Sequence, residues 1–145
     1  DRLRGSYGAE VSVRVRATGP VEGVLREVGS AWLLVQESLG REALVPLAAV
    51  LGITGLRAGS APPGSEGRVT ARLGLTSVLR AVARDRSEVS LHLADASVLT
   101  GTVDRVGADF LELRETAGEH PRPRGEAEAT RAVPLGAVVL LRRQS

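Results

Sequence analysis

The chain has 145 residues, enough for one or two small domains. Its 19 basic residues are all arginine and are opposed by 17 acidic ones, so the net charge of +2 and the pI of about 10.3 do not identify a nucleic-acid partner. Cysteine is absent, which excludes disulfides, thiolate metal sites and cysteine nucleophiles and makes a cytoplasmic location the default expectation.

Neither a membrane span nor a signal peptide is predicted. No stretch has the roughly 18 consecutive apolar residues that a spanning helix needs, and the start of the chain lacks the apolar core of a signal peptide. Because there is no initiator methionine, we expect the natural N-terminus to lie upstream. The abundance of Arg, Ala, Gly, Val and Leu is typical of a GC-rich genome such as that of an actinobacterium.

An internal repeat organises the chain. A shift of 78 residues places residues 10–36 on 88–114 without a gap, and residues 45–50 match 133–138 at a shift of 88. The second copy therefore carries a ten-residue insertion. Matched pairs within the first block include Gly23/Gly101, Gly29/Gly107 and Trp32/Phe110.

The repeat predicts two units of similar build. The first spans residues 1–58 and the second 69–145, joined by a Pro/Gly-rich linker at 59–68. The insertion falls within residues 115–130, a charged segment without an apolar period, which we interpret as a mobile loop.

Each copy is predicted to contain five short strands. The first alternates apolar and polar residues, as in Val11-Ser-Val-Arg-Val15 and Val89-Ser-Leu-His-Leu93. The second run (21–28 and 98–106) contains a glycine, Gly23 or Gly101, which indicates a sharp bend or a close backbone approach.

A turn at Val28-Gly29 or Val106-Gly107 then leads into the third predicted strand. The third strand covers residues 31–36 or 109–114, and the fourth covers 43–47 or 131–135. A tight turn at Ala48 or Gly136 precedes the last strand, which reaches Ile53 or Leu141. Five short, bent strands in about 50 residues favour a small barrel.

A helix is predicted before the second copy. Leu75, Val78, Leu79 and Val82 follow the i, i+3, i+4, i+7 spacing of one apolar helix face. The equivalent stretch of the first copy is residues 1–4, so its helix is truncated by the start of the chain.

A helix followed by five bent strands resembles the Sm-like family, which includes a bacterial RNA chaperone. The resemblance rests on the following segments: Val89-Ser-Leu-His-Leu93, Leu99-Thr-Gly-Thr-Val103, Asp109-Phe-Leu-Glu-Leu113 and Val133-Pro-Leu-Gly-Ala-Val138. It implies a mainly β fold of two tandem five-stranded Sm-like barrels, each preceded by a helix, although other SH3-like barrels share the pattern. The chain has no Asn, and it reads Val-Pro-Leu where the RNA chaperone carries Tyr-Lys-His.

Arginines make RNA the first expected partner. Residues 68–86 contain five Arg and one acid, a local charge of +4, and a guanidinium suits phosphate geometry. The alternative is that these arginines form a solvated helix face whose stems cover apolar surface. The candidate nucleic-acid contacts are Arg72, Arg80, Arg84 and Arg86, with Arg26 and Arg105 beside the glycine turns.

Base stacking has little support in the sequence. Trp32 and Phe110 occupy equivalent strand positions and are expected in the core, which leaves Tyr7 as the free aromatic ring.

No enzyme, cofactor, metal or small-molecule substrate is indicated. His92 and His120 have no partner at ligand spacing, and Ser77 fits the first turn of the helix. Asp104 and Asp109 are two carboxylates without further oxygen ligands.

Edge strands offer a different function. The most apolar stretches are residues 45–53 and 133–141, and an open barrel leaves its last two strands with unpaired backbone groups. The alternative hypothesis is therefore a protein-interaction scaffold that self-associates through these strands, or a tandem chain that pairs its own halves. Pro46 and Pro134 lack an N–H and limit that pairing.

Overall fold

The computed structural model describes residues 8–55, 74–116 and 130–144. Within these ranges the fold is mainly β, as predicted, with ten strands and one α-helix. The elements are β1 (Glu10–Val15), β2 (Gly19–Val28), β3 (Trp32–Gln36), β4 (Arg41–Pro46), β5 (Val50–Thr54), α1 (Leu75–Asp85), β6 (Glu88–Leu93), β7 (Val98–Val106), β8 (Phe110–Glu115), β9 (Thr130–Pro134) and β10 (Val138–Gln144). The predicted linker, the truncated first helix and most of the predicted loop lie outside the described residues.

The strands form one continuous antiparallel sheet rather than two separate barrels. Its order is β5-β1-β2-β3-β4-β10-β6-β7-β8-β9, and the sheet is not closed. The prediction of two distinct five-stranded barrels is wrong in this respect, because the open edge of the first repeat, β4, pairs with the open edge of the second, β10. The five strands of each half nevertheless have the same order in the sheet, in which the fifth strand lies beside the first.

The first strand of each repeat buries the face that its alternation predicted. Val11, Val13 and Val15 are at most 5% exposed, and in β6 the side chains of Val89 and Leu91 are buried. Polar residues between them are partly or fully exposed, which is the pattern of a strand with one face in the core.

The glycines inside β2 and β7 permit close backbone approach. A Cβ at Gly23 would overlap the carbonyl oxygen of Gln36, and one at Gly101 would overlap that of Arg114. Each glycine is therefore required by the neighbouring strand of its own repeat, which confirms the second of the two sequence interpretations.

The turn between the second and third strands also repeats. Gly29 N–H donates to the carbonyl of Trp32, and Gly107 N–H donates to that of Phe110. The aromatic ring lies over the glycine in both copies, so a side chain there would overlap it. Short 3₁₀ turns at Leu47–Ala49 and Leu135–Ala137 occupy the predicted tight turns.

Helix α1 covers one end of the second repeat. Leu79 and Val82 are buried, Leu75 and Val78 are partly buried against the same core, and the helix packs on β7. It ends at Arg86, which adopts a left-handed conformation (φ 55°) and donates its N–H to the carbonyl of Ala83. The predicted apolar stripe is thus confirmed as the packing face.

Candidate functional site

We call the pairing of β4 with β10 the junction. Leu141 lies opposite Leu44, and Arg143 lies opposite Glu42. The paired residues of β4 end at Leu44, two positions before Pro46, in keeping with the limit that proline sets on strand pairing. The junction thereby makes the two repeats parts of one sheet.

Ion pairs reinforce the junction. The Nε and Nη2 atoms of Arg142 donate to the two carboxylate oxygens of Glu37 at 2.9 and 3.0 Å. Arg143 donates from Nε to Glu42 at 3.1 Å and from Nη1 to Asp85 of the helix at 3.0 Å. Two adjacent arginines of the last strand therefore hold the first repeat and α1 together.

His92 lies beside the Arg142–Glu37 pair. It is opposite Leu140 on β10, and Arg142 follows two positions later on the same strand. Burial lowers the pKa of His92, and the positive charge of Arg142 lowers it further, while Glu37 acts in the opposite direction. The structure thus favours a neutral imidazole at the junction.

The apolar cores extend across the junction. Val139 and Leu140 of the second repeat are fully buried in the core of the first repeat. In the other direction, Trp32 and Leu44 of the first repeat pack in the core of the second. Each half thus completes the hydrophobic core of the other.

Among the described strands, β5 and β9 are the two outermost of the sheet, and we call their outer sides the free edges. By the repeat, β5 is equivalent to β10 and β9 to β4, so each free edge is a copy of a strand that is paired in the junction. Leu51 on β5 corresponds to Val139; Leu51 is 66% exposed, whereas Val139 is fully buried.

The β9 end shows the same contrast. Trp32 is 1% exposed at the junction, whereas the equivalent Phe110 is half-buried. Leu44 is buried, but its counterpart Ala132 is exposed. The difference arises because a second repeat covers the first set and no repeat covers the other.

The arginines predicted to contact nucleic acid do not form one free patch. Arg80 donates from Nε to the carbonyl of Val106 at 3.4 Å. Arg105 pairs with Glu112 at 3.2 Å, and its guanidinium lies 5.7 Å from the ring centre of Phe110. Both side chains thus have local structural partners.

Three other candidates are exposed arginines: Arg26, Arg84 and Arg86. None of them has an ion-pair partner among the described residues. Arg84 lines a groove of about 380 Å³ between α1 and the junction, together with Glu27, Glu42 and Arg143. Arg72, Tyr7 and His120 lie outside the described residues.

Side chains that could bind a metal ion are not clustered in the described part of the chain. It contains no cluster of three or more His, Asp or Glu side chains that could hold a metal ion. Ser77 is an exposed first-turn residue of α1, and Asp104 accepts a hydrogen bond from Arg114. No helix in the described ranges is long and apolar enough to cross a membrane.

The alternative that the tandem chain pairs its own halves is borne out by the junction, but sequence reasoning missed the ion pair that accompanies it. Glu37 and Arg142 are 105 positions apart, and no local pattern links them. One signal was present: the 78-residue shift also places Glu37 on Glu115, an identical pair just beyond the aligned block.

Comparison with known proteins gives no assignment. The sequence matches no family model and no curated protein.

Proposed function

We propose that the chain is a non-enzymatic assembly module of Sm-like build, which oligomerises through its free edge strands. The observation that carries the proposal is the exposure of Leu51 on β5 at the position where β10 buries Val139. An exposed, apolar edge strand pairs readily with a further strand, because its N–H and C=O groups have no partner on that side.

The junction supports the proposal by example. Within one chain, a β4-type edge pairs with a β10-type edge, and side chains of each repeat pack in the core of the other across this pairing. The free edges β9 and β5 are of these same two types. Exposed Leu51 and half-buried Phe110 lie at positions that a further junction would cover.

The oligomeric mass in solution tests the proposal. We expect light scattering behind size exclusion to give a mass above that of one chain, increasing with concentration. Leu51→Asp places a charge on the edge strand and should lower the mass. Leu39→Asp is a matched control, because Leu39 is 86% exposed but lies outside the strands, where its φ of 63° also suits Asp.

Two results would contradict the proposal. One is a strictly monomeric wild-type chain over the whole concentration range. The other is an oligomer that Leu51→Asp leaves as stable as Leu39→Asp does.

A second candidate function is RNA association through the arginines at the end of α1. It is favoured by Arg84 and Arg86, which are exposed and lack an ion-pair partner within the described ranges. Such binding would depend on guanidinium contacts to phosphates and would weaken as salt is raised.

An RNA-binding assay tests this candidate. A mixed RNA pool should be retarded at about 50 mM salt, and the shift should disappear as salt is raised. Arg84→Gln with Arg86→Gln should weaken it, whereas Arg105→Gln, whose guanidinium is paired with Glu112, should not. The absence of any shift at low salt would eliminate the candidate.

A further inference from the structure

The ionic contact of the junction is only half repeated at the free edges. On the β9 side, Glu115 is the counterpart of Glu37, and it is held in place by Arg131 at 3.3 Å. On the β5 side, the counterpart of Arg142 is Thr54, which carries no charge. A copy of the junction made from β9 and β5 would therefore lack the arginine that Glu37 uses.

The missing charge is present one strand away. His92 lies beside the Arg142–Glu37 pair, and its counterpart in the first repeat is Arg14. On β1, Arg14 lies opposite Gly52 of β5, just as His92 of β6 lies opposite Leu140 of β10. The two positions therefore match in register. Arg14 is exposed and has no ion-pair partner among the described residues. The second repeat thus carries its arginine on its last strand, as Arg142, whereas the first repeat carries one on its first strand, as Arg14.

We propose that a second copy of this chain joins head to tail, with β9 of one copy against β5 of the next, and that Glu115 of the first copy pairs with Arg14 of the second. The inference rests on the proposed assembly function and adds which edge meets which and what selects it. A carboxylate can accept from two guanidinium groups, so Glu115 keeps Arg131 while it gains Arg14.

The register follows from the junction. Transferred through the repeat, Leu141 opposite Leu44 becomes Ile53 opposite Ala132, and Arg142 opposite Ala43 becomes Thr54 opposite Arg131. No two like charges then face each other directly. A β9–β9 pairing would instead bring together two strands that each carry an exposed Arg131, which is unfavourable.

The contact is heterologous, because two different edges meet. After the first contact the pair of copies still has one free edge of each type, so growth continues until the copies close into a ring or extend as a chain.

Charge reversal tests the ion pair. Arg14→Glu would face Glu115 with a like charge, and we expect association to weaken roughly tenfold or more. Arg14→Glu combined with Glu115→Lys should restore it. Arg26→Glu is the matched control, since Arg26 is an exposed arginine of the same repeat that lies on β2, one strand further from the β5 edge than Arg14. Circular dichroism on each variant checks that the fold is retained.

Cysteine cross-linking tests the strand order. The chain has no cysteine, so introduced thiols are the sole ones. Facing strand residues have Cα atoms about 5 Å apart, within the range of a disulfide. Ile53→Cys with Ala132→Cys should give a ladder of linked oligomers on mild oxidation, whereas either substitution alone should not.

The outcomes separate the two proposals. If the wild-type chain assembles but Arg14→Glu associates as strongly as Arg26→Glu, or if the single cysteine variants form dimers while the double variant gives no ladder, the head-to-tail inference is overturned and the assembly function stands. If the wild-type chain is monomeric, both are overturned.

Discussion

Arg142 holds Glu37 with two hydrogen bonds across the junction, and Glu37 is the one buried charged residue among the described side chains. A buried carboxylate is stable only with a partner, because desolvation of the charge has to be offset by Coulomb attraction and hydrogen bonds. The pair therefore favours one arrangement of the halves, in which the last strand of the second repeat lies against the fourth strand of the first.

Removal of the Arg142 side chain should destabilise the folded chain. We expect Arg142→Met to lower the free energy of unfolding by about 3 kcal/mol, since Glu37 would remain buried without a partner. Arg105→Met is the control, because its pair with Glu112 is exposed and such pairs contribute less than about 1 kcal/mol.

Chemical denaturation measures both changes. Adding Glu37→Gln to Arg142→Met should recover part of the loss, because no uncompensated charge is then buried. An Arg142→Met variant as stable as Arg105→Met would show that the ion pair does not stabilise the junction.

His92 should make stability depend on pH. Its pKa in the folded chain lies below the ordinary 6.5, through burial first and then the charge of Arg142. The unfolded chain therefore binds the proton more readily than the folded chain. The contribution of neutral His92 to the free energy of unfolding is complete above about pH 6.5 and is lost as the pH falls through the lower, folded pKa.

Unfolding measured between pH 7 and pH 5 tests this dependence. The free energy of unfolding of the wild-type chain should decrease as the pH is lowered, and in His92→Gln this decrease should be smaller. His120→Gln serves as the control, since His120 is the other histidine of the chain. An unchanged slope in His92→Gln would assign the pH dependence to other groups.

Local pattern predicted the strands, the helix and, for two strand glycines, either a sharp bend or a close backbone approach. These features depend on residues near one another in sequence: the alternation at Val11, Val13 and Val15, and the helical spacing that buries Leu79 and Val82. Because the 78-residue repeat places Gly23 and Gly101 at equivalent positions, the same role is expected of both.

The choice of strand partner could not be predicted from local pattern. Both β4 and β9 are strands of the same type, and nothing in their periodicity shows that β4 is paired with β10 while β9 has a free edge. The partners of the arginines could not be predicted for the same reason. Arg80 and Arg105 were expected to be available to RNA, but their partners, the carbonyl of Val106 and the carboxylate of Glu112, became visible only in the folded chain.

The glycines inside β2 and β7 should tolerate no side chain. A Cβ at Gly23 or Gly101 would overlap a backbone carbonyl oxygen of the next strand, which cannot move without breaking the sheet. We expect either Gly→Ala substitution to destabilise the fold by about 2 kcal/mol or more.

Gly136→Ala is the matched control. A Cβ at Gly136 would meet nothing within 4 Å, and its φ is not positive, so that variant should be nearly as stable as the wild-type chain. Thermal unfolding of the three variants decides the point, and equal stabilities for Gly23→Ala and Gly136→Ala would contradict the close approach.

Trp32 and Phe110 should differ in their contribution to stability although they are repeat equivalents. Trp32 is 1% exposed and packs across the junction in the core of the second repeat, whereas Phe110 is half-buried at the free end. Trp32→Ala should therefore cost about 3–5 kcal/mol, and Phe110→Ala roughly half as much.

Fluorescence gives an independent measurement, because Trp32 is the single tryptophan of the chain. Its emission should be that of a buried indole in the folded protein and should shift to longer wavelength when the junction opens. In Arg142→Met this shift should occur at lower denaturant than in the wild-type chain, since that variant weakens the junction that covers the ring. A transition at the same denaturant concentration in both proteins would show that Trp32 is buried independently of the junction.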